Sequence, residues 1–111
     1  KIEAIIRQEK LEDVKEALNK INIKGITIYQ VMGCGQQKGW KEIYRGTSTE
    51  MNLLPKLKVE IFVADDESVD SIIDAIADAA HTGEIGDGKI FAMDVTHAVK
   101  IRTKEKGPDA I

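Results

Sequence analysis

The chain has 111 residues, of which 42% are hydrophobic and 32% are charged, and its net charge is −3. This size predicts a single domain, residues 1–111, with a sizeable core, and the acidic balance argues against a general nucleic-acid-binding protein, which is normally basic. The lone Cys34 cannot form an internal disulfide. The charged start KIEAIIRQEK does not fit a signal peptide, and no stretch reaches the ~20 apolar residues of a transmembrane helix. From these three observations we expect a cytoplasmic protein.

The first part of the chain predicts a strand, a helix and a second strand. Residues 2–7 are short, apolar and rich in isoleucine, which is typical of a strand. The β-branched residues 26–31 predict the second strand. Between them, apolar residues at spacings of three and four predict one face of a helix: Leu11, Val14, Leu18 and Ile21.

The second part repeats this pattern. Residues 56–63 alternate and predict a third strand, and residues 89–95 predict a fourth. Residues 99–102 predict a short fifth strand. Between strands three and four, an acidic start precedes an apolar helical stripe, and Gly83 is expected to end that helix in a left-handed conformation. The stripe consists of Val69, Ile72, Ile73, Ile76 and Ala80.

This order predicts an α+β fold of the ferredoxin-like βαββαβ type. Two helices can cover only one face of its sheet. The other face would carry further apolar side chains, which favours association of subunits through that face. These side chains are Ile5, Tyr29, Val31, Phe91 and Met93.

Residues 33–55 form a long segment without helical or strand periodicity. Irregular connections of this length are uncommon in compact domains and are usually either functional or disordered. Trp40 within it either packs locally or anchors a partner. The segment's glycine-rich start, GCGQQKG, does not match the dinucleotide-binding spacing.

The glycine-rich segment 82–89, TGEIGDGK, is a candidate anion site. Its glycines would let backbone N–H groups converge on a phosphate, and Lys89 would add a positive charge. The spacing imitates a Walker A loop, but Ile90 follows where Ser or Thr would hold magnesium, and the loop leads from helix to strand rather than the reverse. A simple glycine-rich turn remains an equal alternative.

The C-terminal segment, residues 97–111, contains Lys100 and Arg102. On an extended segment these side chains would leave the same face and could clamp a triphosphate, or they could belong to a solvated edge. His81 and His97 lack further ligands at zinc spacing. No serine, histidine or carboxylate pattern indicates a catalytic site, so we expect a protein that is not an enzyme.

Several segments together carry a family resemblance: TGEIGDGKIF, GITIYQV followed by GCGQQKG, YRG, LLPKLKVE and IRT. They resemble the PII nitrogen-regulatory signal proteins, and the resemblance covers essentially the whole chain. The resemblance implies a homotrimer with nucleotide sites in the clefts between subunits. There, ATP and ADP would compete, and 2-oxoglutarate would bind beside Mg-ATP. The long segment 33–55 would be the T-loop, which docks on targets such as an ammonium channel, glutamine synthetase or a regulator. A membrane would be contacted only indirectly, through a channel partner.

The resemblance also implies roles for individual residues. The 2-oxoglutarate carboxylates would meet Lys56 and the backbone around Lys38 and Gly39, and Gln37 would ligate Mg²⁺. The nucleotide-binding set would include Arg102 from a neighbouring subunit. That set is Thr27, Glu60 and Phe62 at the adenine and ribose end, and Gly35, Gln36, Gly86, Asp87, Gly88, Lys89, Lys100 and Arg102 at the phosphates.

Three positions depart from the usual family pattern. Gln36 stands where many members have arginine, which removes a phosphate contact. Lys100 replaces an arginine and gives up bidentate geometry. Thr49 occupies the position of the tyrosine that some members uridylylate, so no modification is expected there. The rival hypotheses are an ATP-hydrolysing enzyme on the same fold and a metal- or small-molecule-binding ferredoxin-like trimer outside nitrogen control.

Overall fold

The computed structural model of the chain describes residues 1–34 and 53–111. In these two ranges it contains four strands and two α-helices, with short 3-10 turns at Gln8–Lys10 and Gly107–Ala110. The elements confirm the predicted α+β class and the βαββαβ order. They are β1 (Ile2–Ile6), α1 (Leu11–Lys20), β2 (Thr27–Gly33), β3 (Leu54–Ile61), α2 (Val69–Ala80) and β4 (Lys89–Ala92).

The strands form one antiparallel sheet in the order β2-β3-β1-β4. The first strand is therefore central, with β3 on one side and β4 on the other. Ile5 pairs with Lys58 of β3 and with Lys89 of β4. This register brings the residues that follow α2 against the end of β1, which decides where the candidate site lies.

The core lies between one face of the sheet and the two helices. The alternation of β1 and β3 places their apolar residues on this face, and the helical periodicity of α1 and α2 places theirs opposite. The fully buried larger side chains are Ile2, Ile6, Val14, Leu18, Val59, Ile61, Ile72 and Ile76.

No helix in the described ranges is long and apolar enough to cross a membrane.

The opposite face of the sheet is mixed in character rather than continuously apolar. Exposed Tyr29, Phe91 and Met93 lie on it, as the sequence predicts. Between them, the ammonium of Lys58 lies 3.9 Å from the carboxylate of Glu3 and 4.4 Å from the centre of the Tyr29 ring. A strip of ion pairs therefore runs between the apolar side chains, and association through this face stays a prediction.

Several predicted boundaries need correction. The third strand begins at Leu54 and ends at Ile61, so the predicted range 56–63 is shifted, and the connection from β2 is shorter than predicted at both ends. The fourth strand ends at Ala92, although the Met93 N–H still donates to the Lys1 carbonyl at 2.8 Å. Residues 35–52, most of the predicted T-loop, lie outside the described residues.

The predicted fifth strand at 99–102 is wrong. Val99 forms only an isolated bridge with Lys106, and residues 101–103 turn between them. The expectation for Gly83 is half right. It has a left-handed φ of 88°, but α2 already ends at Ala80, and His81 is extended.

Candidate functional site

The glycine-rich loop, residues 82–88, connects α2 to β4 and so leads from helix to strand, as the sequence indicates. Gly83, Gly86 and Gly88 have φ values of 88°, 103° and 104°. Gly88 also lies directly on β1, because a Cβ at this position would be 1.7 Å from the Ile5 carbonyl oxygen. No other residue type fits there without moving the loop.

The carboxylate of Asp87 organises the loop from within. It accepts hydrogen bonds from the N–H groups of Thr82 and Gly83, both at 2.9 Å, and from the Thr82 hydroxyl. The Thr82 hydroxyl in turn accepts the N–H of Glu84 at 3.1 Å. These bonds favour the charged carboxylate, so Thr82 above all, followed by Gly83 and Arg7, holds the pKa of Asp87 well below its usual range.

This shift predicts a loss of stability in acid. Because the folded-state pKa of Asp87 is depressed, its contribution is complete above the unfolded-state pKa near ~3.9 and is lost as the pH falls below it. We expect the free energy of unfolding, measured by urea titration at pH 7 and pH 3, to fall less in Asp87→Asn than in the wild type. Asp78→Asn, at an exposed site on α2, should keep the wild-type dependence. If the free energy of unfolding fell equally in the wild type and in Asp87→Asn, Asp87 would not be a source of the acid sensitivity.

Arg7 attaches the loop to the end of β1. Its Nε atom lies 3.2 Å from the Asp87 carboxylate, and its Nη2 atom donates to the Ile85 carbonyl at 2.9 Å. The sequence pattern does not indicate a role for this residue, because 80 positions separate Arg7 from Asp87. Only the position of Arg7 directly after a central strand could have suggested a role at the sheet end.

Lys56 attaches the loop from the other side. This residue of β3 is only 9% exposed, and its ammonium donates to the Gly86 carbonyl. An ammonium has three donors, and among the described residues this is the one hydrogen bond that it makes. A buried cation with spare donors is well suited to an anionic ligand, because burial makes an unmatched charge costly.

These parts surround an open cleft of about 800 Å³. Lys56 and Lys89 bring two cations to it, and Gly33 and Cys34 form its edge where the described residues stop. The cleft is lined by Ile5, Gly33, Cys34, Lys56, Phe91 and residues 84–89. The structure thus brings together the predicted residues Lys56, Gly86, Asp87, Gly88 and Lys89 at one end of the sheet.

Backbone donors complete the cleft. Within the described part of the chain, the N–H groups of Gly86 and Gly88 make no hydrogen bond. Gly86 is half-buried and Gly88 is exposed, so both N–H groups are accessible to a ligand. Two free N–H groups on left-handed glycines beside Lys89 form the kind of concavity that binds a phosphate or carboxylate.

The predicted adenine and ribose residues lie further along the same face. Thr27 of β2 pairs with Glu60 of β3, four residues from Lys56, which corresponds to roughly 13 Å along a strand. The Tyr29 hydroxyl donates to the Glu60 carboxylate at 3.2 Å, and this bond raises the pKa of Tyr29. Phe62 follows the end of β3 and is exposed. These residues do not line the cleft at the glycine-rich loop.

Lys100 and Arg102 are not part of this cleft. They belong to the turn between Val99 and Lys106, where the Lys100 ammonium lies 3.9 Å from the Glu105 carboxylate. The expectation that both leave one face of an extended segment is wrong. A contact of Arg102 with phosphates bound to a neighbouring subunit stays a prediction.

The remaining predicted site residues lie outside the described residues. They are Gly35, Gln36, Gln37, Lys38, Gly39 and Thr49.

In residues 1–34 and 53–111, no three His, Cys, Asp or Glu side chains cluster as metal ligands. A second cleft, of about 600 Å³, lies between the start of α2 and the C-terminal segment and is lined by none of the predicted nucleotide-binding or 2-oxoglutarate-binding residues.

The family described as "Nitrogen regulatory protein P-II" matches residues 1–105 of the chain. The Nitrogen regulatory protein P-II of Azospirillum brasilense is 55% identical over 111 residues, covering 100% of this chain and 98% of the relative. The protein of the same name from Rhizobium meliloti is 51% identical, with the same coverage. Nitrogen regulatory protein P-II 1 of Methanothermobacter thermautotrophicus is 53% identical and is covered over 96% of its length. The similarity extends over whole chains.

Proposed function

The chain belongs to the nitrogen regulatory protein P-II family, and on that premise we propose that it senses ATP, ADP and 2-oxoglutarate and passes their state to target proteins through residues 33–55. The family description is that of a regulator in nitrogen metabolism rather than of an enzyme. The ligands and the output segment are the proposed part.

The observation that carries the nucleotide assignment is the cleft at the glycine-rich loop. It combines the N–H groups of Gly86 and Gly88, which have no partner among the described residues, with the ammonium groups of Lys56 and Lys89. A phosphate chain is recognised by such a set of backbone donors and cations. The adenine and ribose would extend along the sheet toward Thr27, Glu60 and Phe62, and Mg²⁺ would accompany ATP.

The 2-oxoglutarate assignment depends on Lys56 and on the start of the long segment. The buried Lys56 ammonium makes one hydrogen bond among the described residues, and its other donors suit a carboxylate. Gln37 would contribute a hard oxygen ligand to Mg²⁺, which Mg-ATP and 2-oxoglutarate would share. Lys38 and Gly39 would hold the second carboxylate through their backbone N–H groups.

Signalling would then be a population shift of residues 33–55. Mg-ATP with 2-oxoglutarate would engage Gln37 near the start of the segment and Lys56 just after its end, and ADP would not. A ligand biases such an equilibrium only by its different affinity for the two states, typically about 1–3 kcal/mol. The target would be an ammonium channel, glutamine synthetase or a regulator that reads the segment.

We further propose that the protein acts as a cytoplasmic homotrimer. The exposed Tyr29, Phe91 and Met93 on the open sheet face support association of subunits. The C-terminal turn supports it too, because Arg102 lies away from its own subunit's cleft and could serve a neighbour's.

Gln37→Ala is expected to abolish measurable 2-oxoglutarate binding in the presence of Mg-ATP, because the shared metal loses an oxygen ligand. ADP binding should remain close to that of the wild type, since ADP would not use this ligand. Isothermal titration calorimetry with each ligand measures both effects. Gln30→Ala, on β2 and exposed, is the matched control and should bind both ligands.

Intact 2-oxoglutarate affinity in Gln37→Ala would refute the metal-ligand role. A wild-type protein that binds neither ADP nor Mg-ATP would refute the proposed function as a whole.

A further inference from the structure

In the proposed phosphate site, the direction of the Gly86 N–H group depends on contacts made by neighbouring residues. With a φ of 103° and no side chain, this residue has no steric restraint of its own. Its N–H group has no partner among the described residues. A donor on such a residue binds an anion well only if something else fixes its direction, because ordering a free loop costs affinity.

A single guanidinium holds the residues on both sides of Gly86. Arg7 donates from Nη2 to the Ile85 carbonyl at 2.9 Å and lies 3.2 Å from the Asp87 carboxylate through Nε. The Arg7 and Asp87 side chains are 22% and 24% exposed, so water competes only in part for their ion pair, whereas the bond to the Ile85 carbonyl is exposed. Charge-assisted bonds of this kind are the stronger ones.

The contact of Arg7 with the Ile85 carbonyl also determines where the Gly86 N–H points, because the two groups belong to the same peptide bond. In a trans peptide, the C=O and N–H bonds point to opposite sides, and the described residues contain no cis peptide bond. Since the Ile85 carbonyl points at Arg7, the Gly86 N–H points away from it. Ile85 and Gly86 line the cleft, whereas Arg7 does not.

From this geometry we infer that Arg7 is a positioning residue that aims the Gly86 N–H into the cleft and so increases the affinity for phosphate without contacting it. The inference rests on the proposed function for the identity of the ligand. The orientation of the loop itself can be measured without any ligand.

Arg7→Gln tests this role in the full-length protein. In the free protein, the ¹⁵N order parameters of Gly86 and Gly88 should fall from the rigid value near ~0.85 to below ~0.6, while those of the strands stay unchanged. ADP affinity by calorimetry should fall roughly tenfold. Lys15→Gln is the matched control, because Lys15 also pairs with a carboxylate, that of Glu12, but lies on α1 away from the loop.

Arg7→Lys keeps the charge but lacks the fork that holds two partners at once, so we expect intermediate order and affinity. It also serves if Arg7→Gln does not fold. A rigid loop with lost ADP binding would overturn the inference in favour of direct contact. A mobile loop with unchanged ADP affinity would overturn it as well. If the wild type bound no nucleotide, the proposed function would fail, whereas the order parameters would still decide whether Arg7 fixes the loop.

Discussion

Gly88→Ala is expected to lower the free energy of unfolding by roughly 3 kcal/mol or more and to abolish nucleotide binding. The new Cβ would lie 1.7 Å from the Ile5 carbonyl oxygen, and the φ of 104° is itself unfavourable for alanine. The atom in the way belongs to the backbone of a central strand, so it cannot rotate aside. The loop must move, and the Gly88 N–H would leave the cleft. Urea unfolding and calorimetry with ADP measure the two effects.

Gly107→Ala provides the matched control for this change. Gly107 also has a left-handed φ, 71°, but a Cβ there would have nothing within 4 Å. Only the conformational cost remains, about 1–2 kcal/mol, and the cleft is untouched. Equal destabilisation by the two substitutions would show that the contact of Gly88 with Ile5 does not determine the loop position.

Lys56→Met is expected to reduce 2-oxoglutarate affinity by on the order of 100-fold while it leaves the free energy of unfolding within about 1 kcal/mol of the wild type. The large effect on binding follows because a carboxylate would enter the cleft without its buried cation. The small effect on stability follows because methionine fills similar space and removes the cost of burying a charge, which offsets the lost bond to the Gly86 carbonyl. Calorimetry with Mg-ATP present and urea unfolding test both parts.

Lys20→Met is the control at an exposed position on α1. Lys20 pairs with Glu16 and does not line the cleft at the glycine-rich loop. It should retain 2-oxoglutarate binding. If both variants lost the ligand equally, a general loss of positive charge, rather than the position of Lys56, would explain the result.

The candidate site was predictable where its chemistry is local in sequence. Gly86, Gly88 and Lys89 stand together in one short segment, whose pattern alone indicated either an anion site or a simple glycine-rich turn, and the structure places these three residues around one cleft. Lys56 came from the family resemblance, and its burial became visible only in the fold. Arg7 gave no local signal, since its partners are about 80 residues away.

The strand predicted at residues 99–102 was wrong for a different reason. A β-branched residue beside alternating charges is compatible with a strand, but a strand also needs a partner of matching length. The four-stranded sheet does not include this segment, and the only pairing that Val99 has among the described residues is the isolated bridge to Lys106. A short apolar run therefore did not suffice to predict secondary structure.

The sequence by itself determined the four strands and two helices of the sheet and its cover, their order and the direction of the glycine-rich loop, because periodicities of 2 and 3.6 residues are local properties of the chain. The tertiary structure alone decided which distant groups meet. The antiparallel register sets Gly88 against Ile5, brings Arg7 to Ile85 and Asp87, and buries Lys56 under Gly86. These contacts arise from the pairing of strands far apart in sequence, and no single segment encodes such a pairing.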